Sequence, residues 1–190
     1  MLSLPVKTTA LVLIDLQKGI LGMPLAPHAI DQVLAHSVSL VTAFRAKGGT
    51  VVLVHVGFGP DGLGFPKGEV DSPSAMKTPP GPDWSEFHPS LGSAPTDLTI
   101  MKKQWGAFHG SELDSQLRRR GVTTIVLGGV ATNIGVEQTA REAWQYNYSV
   151  VLAEDATSTM SAEMHTFAIE KIFPRISRIR KTSEILAALS

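Results

Sequence analysis

Apolar positions along the chain follow two rhythms. Short runs that are apolar at nearly every position occur at Thr9–Leu16 (TALVLIDL), Thr50–Val56 (TVVLVHV), Leu98–Lys102 (LTIMK), Thr123–Gly128 (TTIVLG) and Ser149–Ala153 (SVVLA), with a shorter sixth at Ile176–Ile179. Runs of this kind predict strands buried on both faces. Between them the spacing turns helical. Ile30, Val33, Leu34, Val38, Val41 and Phe44 share one helix face, which stops at Gly48-Gly49. Ser111 is the predicted N-cap, with Asp114 as its reciprocal acid, of a helix ending at Arg120-Gly121. Thr132 or Asn133 caps a helix running to about Tyr146, Ser161 caps one ending before Pro174, and a last helix covers Ser183–Leu189. Strands alternating with helices predict one α/β domain over residues 1–190, a doubly wound parallel sheet with right-handed crossovers.

One stretch breaks the alternation. Between Gly57 and Asp97 lie Pro60, Pro66, Pro73, Pro79, Pro80, Pro82, Pro89 and Pro95, eight of the chain's 12 prolines. A loop of that length in a compact domain is either a lid over a binding site or a surface and subunit-contact segment. Trp84 and Phe87 are its candidate contact residues.

Composition narrows the function classes. Lys+Arg 17 balances Asp+Glu 17, which argues against nucleic acid as a partner. With Cys 0, the chain has no disulfide, thiolate metal site or cysteine nucleophile. No segment reaches the roughly 18 consecutive apolar residues of a membrane helix, and the run Ala10–Ile14 lacks a basic flank. The expected location is the cytoplasm, with no membrane partner. The six histidines (His28, His36, His55, His88, His109 and His165) show neither i,i+4 nor H-x-H spacing, so no metal site and no cofactor is expected. His55 reads as a core or rim histidine. Gly57–Gly62 matches G-x-G-x-x-G, but Leu63-Gly64-Phe65-Pro66 after it is a turn sequence and cannot open the required helix.

Three elements carry chemistry. Asp15 ends an apolar strand, and in open α/β sheets the carboxyl ends of strands form the ligand crevice. A carboxylate there is costly to bury without a partner. Its competing reading is a turn or capping Asp. Alternation puts Gln17 on Asp15's side if the strand continues that far. Lys102 leaves the end of another strand, on the same sheet edge, with Lys103 as competitor. An ammonium and a carboxylate in one apolar crevice would shift each other's protonation. The third element, Gly128–Glu137 (GGVATNIGVE), runs from strand end to helix start, where backbone N–H groups favour an anion.

These elements, in the segments LVLIDLQKGIL, MKKQWGAFHGSELDSQLRRRGVTTIVLGGVATNIGVEQTAREA and VVLAEDATST, resemble the isochorismatase-like hydrolases, also called cysteine hydrolases. That superfamily includes nicotinamidases, N-carbamoylsarcosine amidohydrolases and isochorismatases. The resemblance implies a six-stranded sheet of order 3-2-1-4-5-6 and an Asp–Lys–Cys triad. Asp15 matches its Asp, Lys102 its Lys, and Gly135 stands at the cysteine's position. It further implies a cis Val130–Ala131 peptide, an oxyanion site at the N–H groups of Ala131 and Gly135, and a homo-oligomer (dimer, tetramer or higher). Gln17, Trp105, Val130, Thr132 and Asn133 complete the implied substrate site. The paired histidines of the nicotinamidase metal motif are missing after Val54-His55-Val56-Gly57.

With Gly135 in place of a thiol, no thioester can form. True isochorismatases are similar in carrying Gly there, since vinyl-ether cleavage needs only an acid and water. They differ in carrying an aromatic-plus-His pair where this chain has Thr132-Asn133, and in a Gly-Pro-Gly-Leu segment not found here. The expectation is therefore a hydrolase of a small carboxylated or carbonyl metabolite, working through Asp15 and Lys102. The alternatives are a non-catalytic metabolite binder with the same crevice and, more remotely, a flavin-binding doubly wound protein.

Overall fold

A computed structural model of the chain describes residues 2–59, 61–73, 81 and 83–190. Six strands form one parallel sheet: β1 (Thr9–Ile14), β2 (Thr50–Val56), β3 (Leu98–Lys102), β4 (Thr124–Val130), β5 (Ser149–Ser158) and β6 (Arg178–Arg180). Their order is β3-β2-β1-β4-β5-β6. The principal helices are α1 (Lys18–Leu21), α2 (Ile30–Ala46), α3 (Leu113–Arg119), α4 (Glu137–Gln145), α5 (Ala162–Phe167) and α6 (Thr182–Ala188).

Strand alternation divides the core into two layers. Leu11 and Leu13 of β1 pack with Val33, Leu40, Val41 and Phe44 of α2 and Ile185 of α6. Ala10, Val12 and Ile14 point the other way, toward Leu113 and Leu117 of α3, Ala140 and Ala143 of α4, and Phe173. All six β1 residues are buried, as a central strand covered on both faces must be. Fully burying a side chain such as Phe44 contributes roughly 1.5–3 kcal/mol. Among the described residues no helix is long and apolar enough to cross a membrane.

Several sequence-based boundaries shift. β1 stops at Ile14, short of the expected Leu16, because Asp15 turns to φ 52°. β4 runs on to Val130 and β5 to Ser158, with a register irregularity between Leu127 and Gly129. Gly129 makes the close approach possible. Its φ is 113°, and a Cβ there would lie 2.1 Å from the Ile14 carbonyl oxygen. Ser111 does accept the Leu113 N–H, but α3 begins after Glu112, and the Asp114 carboxylate turns to the Tyr148 hydroxyl. Neither Thr132 nor Asn133 caps α4. A π-helical turn, Thr132–Val136, follows Ala131 and leads into it. Ser161 caps α5 as expected, accepting from the Met164 N–H.

Of the proline-rich segment, Pro60, Pro79, Pro80 and Pro82 lie outside the described residues. Its downstream end is bound to the sheet edge. The N–H groups of Lys18 and Gly19 donate to the carbonyls of Glu86 and Trp84, and the His88 N–H donates to Leu16. Trp84 lies against Gly19, where a Cβ would meet the indole at 2.0 Å, and Phe87 packs on the core. Both aromatics offered as subunit contacts are half-buried and also make contacts within the chain.

Candidate active site

Asp15 and Lys102 meet. β2 lies between β1 and β3, so the two strand ends are separated by about two strand spacings of 4.7–4.9 Å. The two side chains together bridge that gap. Lys102 Nζ donates to Asp15 Oδ2 at 2.7 Å and to the Gln104 carbonyl at 3.1 Å. Both residues are buried, whereas the competitor Lys103 is exposed. Asp15 Oδ1 is also buried and, among the described residues, has no hydrogen-bond partner.

Backbone conformation puts the carboxylate there. An Asp at φ 52° is in the left-handed region, which costs energy and is commonly retained at functional positions. Its N–H donates to the Val54 carbonyl at 2.9 Å, which anchors the turn to β2. Burial pushes the Asp15 carboxyl up to about 6, the Lys102 ammonium only partly opposing it.

Gly135 forms the roof of this pair. A Cβ on it would lie 3.3 Å from Asp15 Oδ2, 3.1 Å from Ile14 Cγ2 and 3.4 Å from the Trp105 carbonyl. The Trp105 indole itself is exposed. The peptide between Val130 and Ala131 is cis. The Ala131 carbonyl accepts from the N–H groups of Ile134 and Val136, which shapes the turn that carries Gly135.

Three of the expected substrate-site residues make hydrogen bonds within the chain. Gln17 sits beyond the turn at Asp15, so strand alternation no longer applies to it. Its amide donates to the Val56 and Trp84 carbonyls and accepts from the Val56 N–H. It joins β2 to the proline-rich segment. Thr132 Oγ1 lies 2.9 Å from His165 Nδ1, and Asn133 Oδ1 accepts from the Thr159 hydroxyl at 2.7 Å. His55 is a rim residue, its Nδ1 2.8 Å from the Ser85 carbonyl and its ring beside Phe87.

Thr132 leads to a cluster that sequence spacing did not reveal. Glu154 Oε1 lies 3.0 Å from His28 Nε2 and 3.3 Å from His165 Nε2, and Glu154 Oε2 accepts from Lys181. His28 is 126 residues from Glu154, which no short-range motif could have joined. The available signal was Glu154-Asp155, two acids at the far end of an apolar strand run.

Known proteins resemble the chain over its full length. The isochorismatase domain family matches residues 9–184. The isochorismatase family protein YecD of Escherichia coli O157:H7 is 50% identical over 189 residues, covering 100% of both chains. A solved isochorismatase family protein from Burkholderia thailandensis superposes with a TM-score of 0.94 at 46% identity, covering 99% of this chain and 98% of that one. The ureidoacrylate amidohydrolase RutB of Azorhizobium caulinodans is 30% identical over 185 residues, 85% of this chain and 81% of its own.

Proposed function

The chain belongs to the isochorismatase family, and we propose that it is a hydrolase acting without a covalent nucleophile on a small carboxylated or carbonyl metabolite. The substrate type is a vinyl ether such as isochorismate. The observation that carries this reading is the state of Asp15. One carboxyl oxygen is taken by Lys102, the other is buried with no partner among the described residues, and burial raises the group to about 6. A carboxyl so held retains a proton close to neutrality, as a general acid requires.

In the proposed reaction Asp15 Oδ1 delivers its proton to the enol-ether methylene. The ether carbon becomes an oxocarbenium centre, water adds to it, and the proton lost by that water returns to Asp15. Collapse of the hemiketal releases a ketone and an alcohol. Lys102 holds the carboxyl in place and offsets the charge left on it. The N–H groups of Ala131 and Gly135 face the substrate's oxygen, and Gly135 leaves room where a side chain would crowd Asp15. The Trp105 carbonyl borders the same space. RutB bears the name of an amidohydrolase, but thioester chemistry on an amide is closed to a chain with Cys 0.

The test is pyruvate release from isochorismate by the wild type and by Asp15→Asn. Turnover that disappears in the variant supports the reading. Tight binding of the metabolite with no turnover in the wild type replaces it with a non-catalytic binder.

A further inference from the structure

The cluster reached through Thr132 has no part in that chemistry. Its donors come from three places: His28 from the segment before α2, Glu154 from β5 and His165 from α5. The segment carrying His28 is held down by two bonds between Ala26 and Thr159 and by the His28 N–H on the Ser158 hydroxyl.

We propose that His28, Glu154 and His165 form a site for a divalent transition ion of the zinc type, bound by both Nε2 atoms and Glu154 Oε1, with water in the fourth position. The three ligand atoms lie within 4.8 Å of one another. Ligands about 2.0–2.1 Å from a tetrahedral ion are separated by about 3.3 Å. The two nitrogen–oxygen separations here are 3.0 and 3.3 Å. Ring placement makes an independent check. Two imidazoles bound through Nε2 to one such ion have centroids about 5 Å apart. The His28 and His165 centroids are 5.4 Å apart, with the rings at 87°.

The surroundings fit as well. A metal-binding histidine normally engages its other ring nitrogen with an oxygen, and His165 Nδ1 has Thr132 Oγ1 at 2.9 Å. Donation from Nδ1 to that hydroxyl leaves the Nε2 lone pair free for a cation. Lys181 occupies only Oε2, and its side chain is 54% exposed, so its charge is largely solvated. His28 is 24% exposed while His165 is 4%, which gives an ion a way in from one side. Two imidazoles with one carboxylate favour zinc and its neighbours over magnesium or calcium, which prefer oxygen ligands.

The same distances also suit two ring N–H groups donating to Oε1 with no ion present, so the experiment separates the two. Chelator-stripped protein is titrated with zinc chloride against a chromophoric competitor, and Co2+ is added separately to read the geometry. The expected result is one zinc per chain and the intense visible bands of tetrahedral cobalt. His28→Ala and His28→Asn should weaken zinc binding at least 100-fold, and Thr132→Val roughly 10-fold. Lowering the pH from about 7.5 to 5.5 should also weaken it, because the imidazoles must be neutral to bind. Wild-type protein that holds no zinc, or His28 variants that bind as well as wild type with unchanged circular dichroism, would overturn the proposal.

Discussion

Two carboxylates stand toward the carboxyl ends of neighbouring parts of the same sheet, and they are held in opposite states. Asp15 has one charged donor on one oxygen, none on the other among the described residues, and is pushed up to about 6 by burial. Glu154 has His28, His165 and Lys181 around it and is held far below its ordinary range. Position in the fold therefore does not set protonation. The balance between lost water and supplied donors does. The first arrangement keeps a proton ready to give, and the second keeps a permanent anion suited to a cation.

The largest expected effect is on turnover. Asp15→Asn should lower vinyl-ether hydrolysis by roughly 10²–10⁴-fold, the usual contribution of a general acid. Glu154→Gln should leave the rate little changed, and equal losses in the two variants would erase the contrast. Next comes stability. Replacing the buried pair together, Asp15→Asn with Lys102→Met, should leave unfolding free energy in urea unchanged or raise it by up to about 4 kcal/mol, since the charged pair's desolvation cost is removed while Asn keeps the left-handed turn. A destabilised double variant would mean that the pair also holds the fold.

The pH responses should differ in the same sense. Because the folded state binds the Asp15 proton more tightly than the unfolded chain, this group's contribution to stability is lost as pH rises from about 4 to about 6. Turnover should fall as pH passes about 6 and Asp15 loses its proton. Carbon NMR of the carboxyl groups should find Asp15 titrating near 6 and Glu154 already ionised throughout that range. The smallest effect is expected from Gly135→Cys. Its thiol, near the carboxyl oxygen that Lys102 pairs, should titrate about one unit below the ordinary 8.5 or so and alkylate quickly. Sluggish labelling would show that the Asp15 carboxylate 3.3 Å from that Cβ dominates instead.

Much of this molecule was legible before any coordinates. The strand cores, α2 and the Ser161 cap follow from local patterns of burial and capping, which act within a few residues. Asp15 and Lys102 were visible as charges ending apolar runs. Where the reading failed, the cause was local geometry or distance. Gln17 lies past the left-handed Asp15, where strand alternation ends, and neither Thr132 nor Asn133 caps α4 because a π-helical turn intervenes.

Periodicity alone was enough to define a parallel layered sheet, because apolar runs and helix faces are properties of short segments. Only packing chose Lys102 over Lys103, since that choice depends on which ammonium β3 turns toward a carboxyl 87 residues away. Packing alone also brought His28 and His165 to Glu154, because three side chains on separate elements become neighbours only when the crossovers close around one sheet.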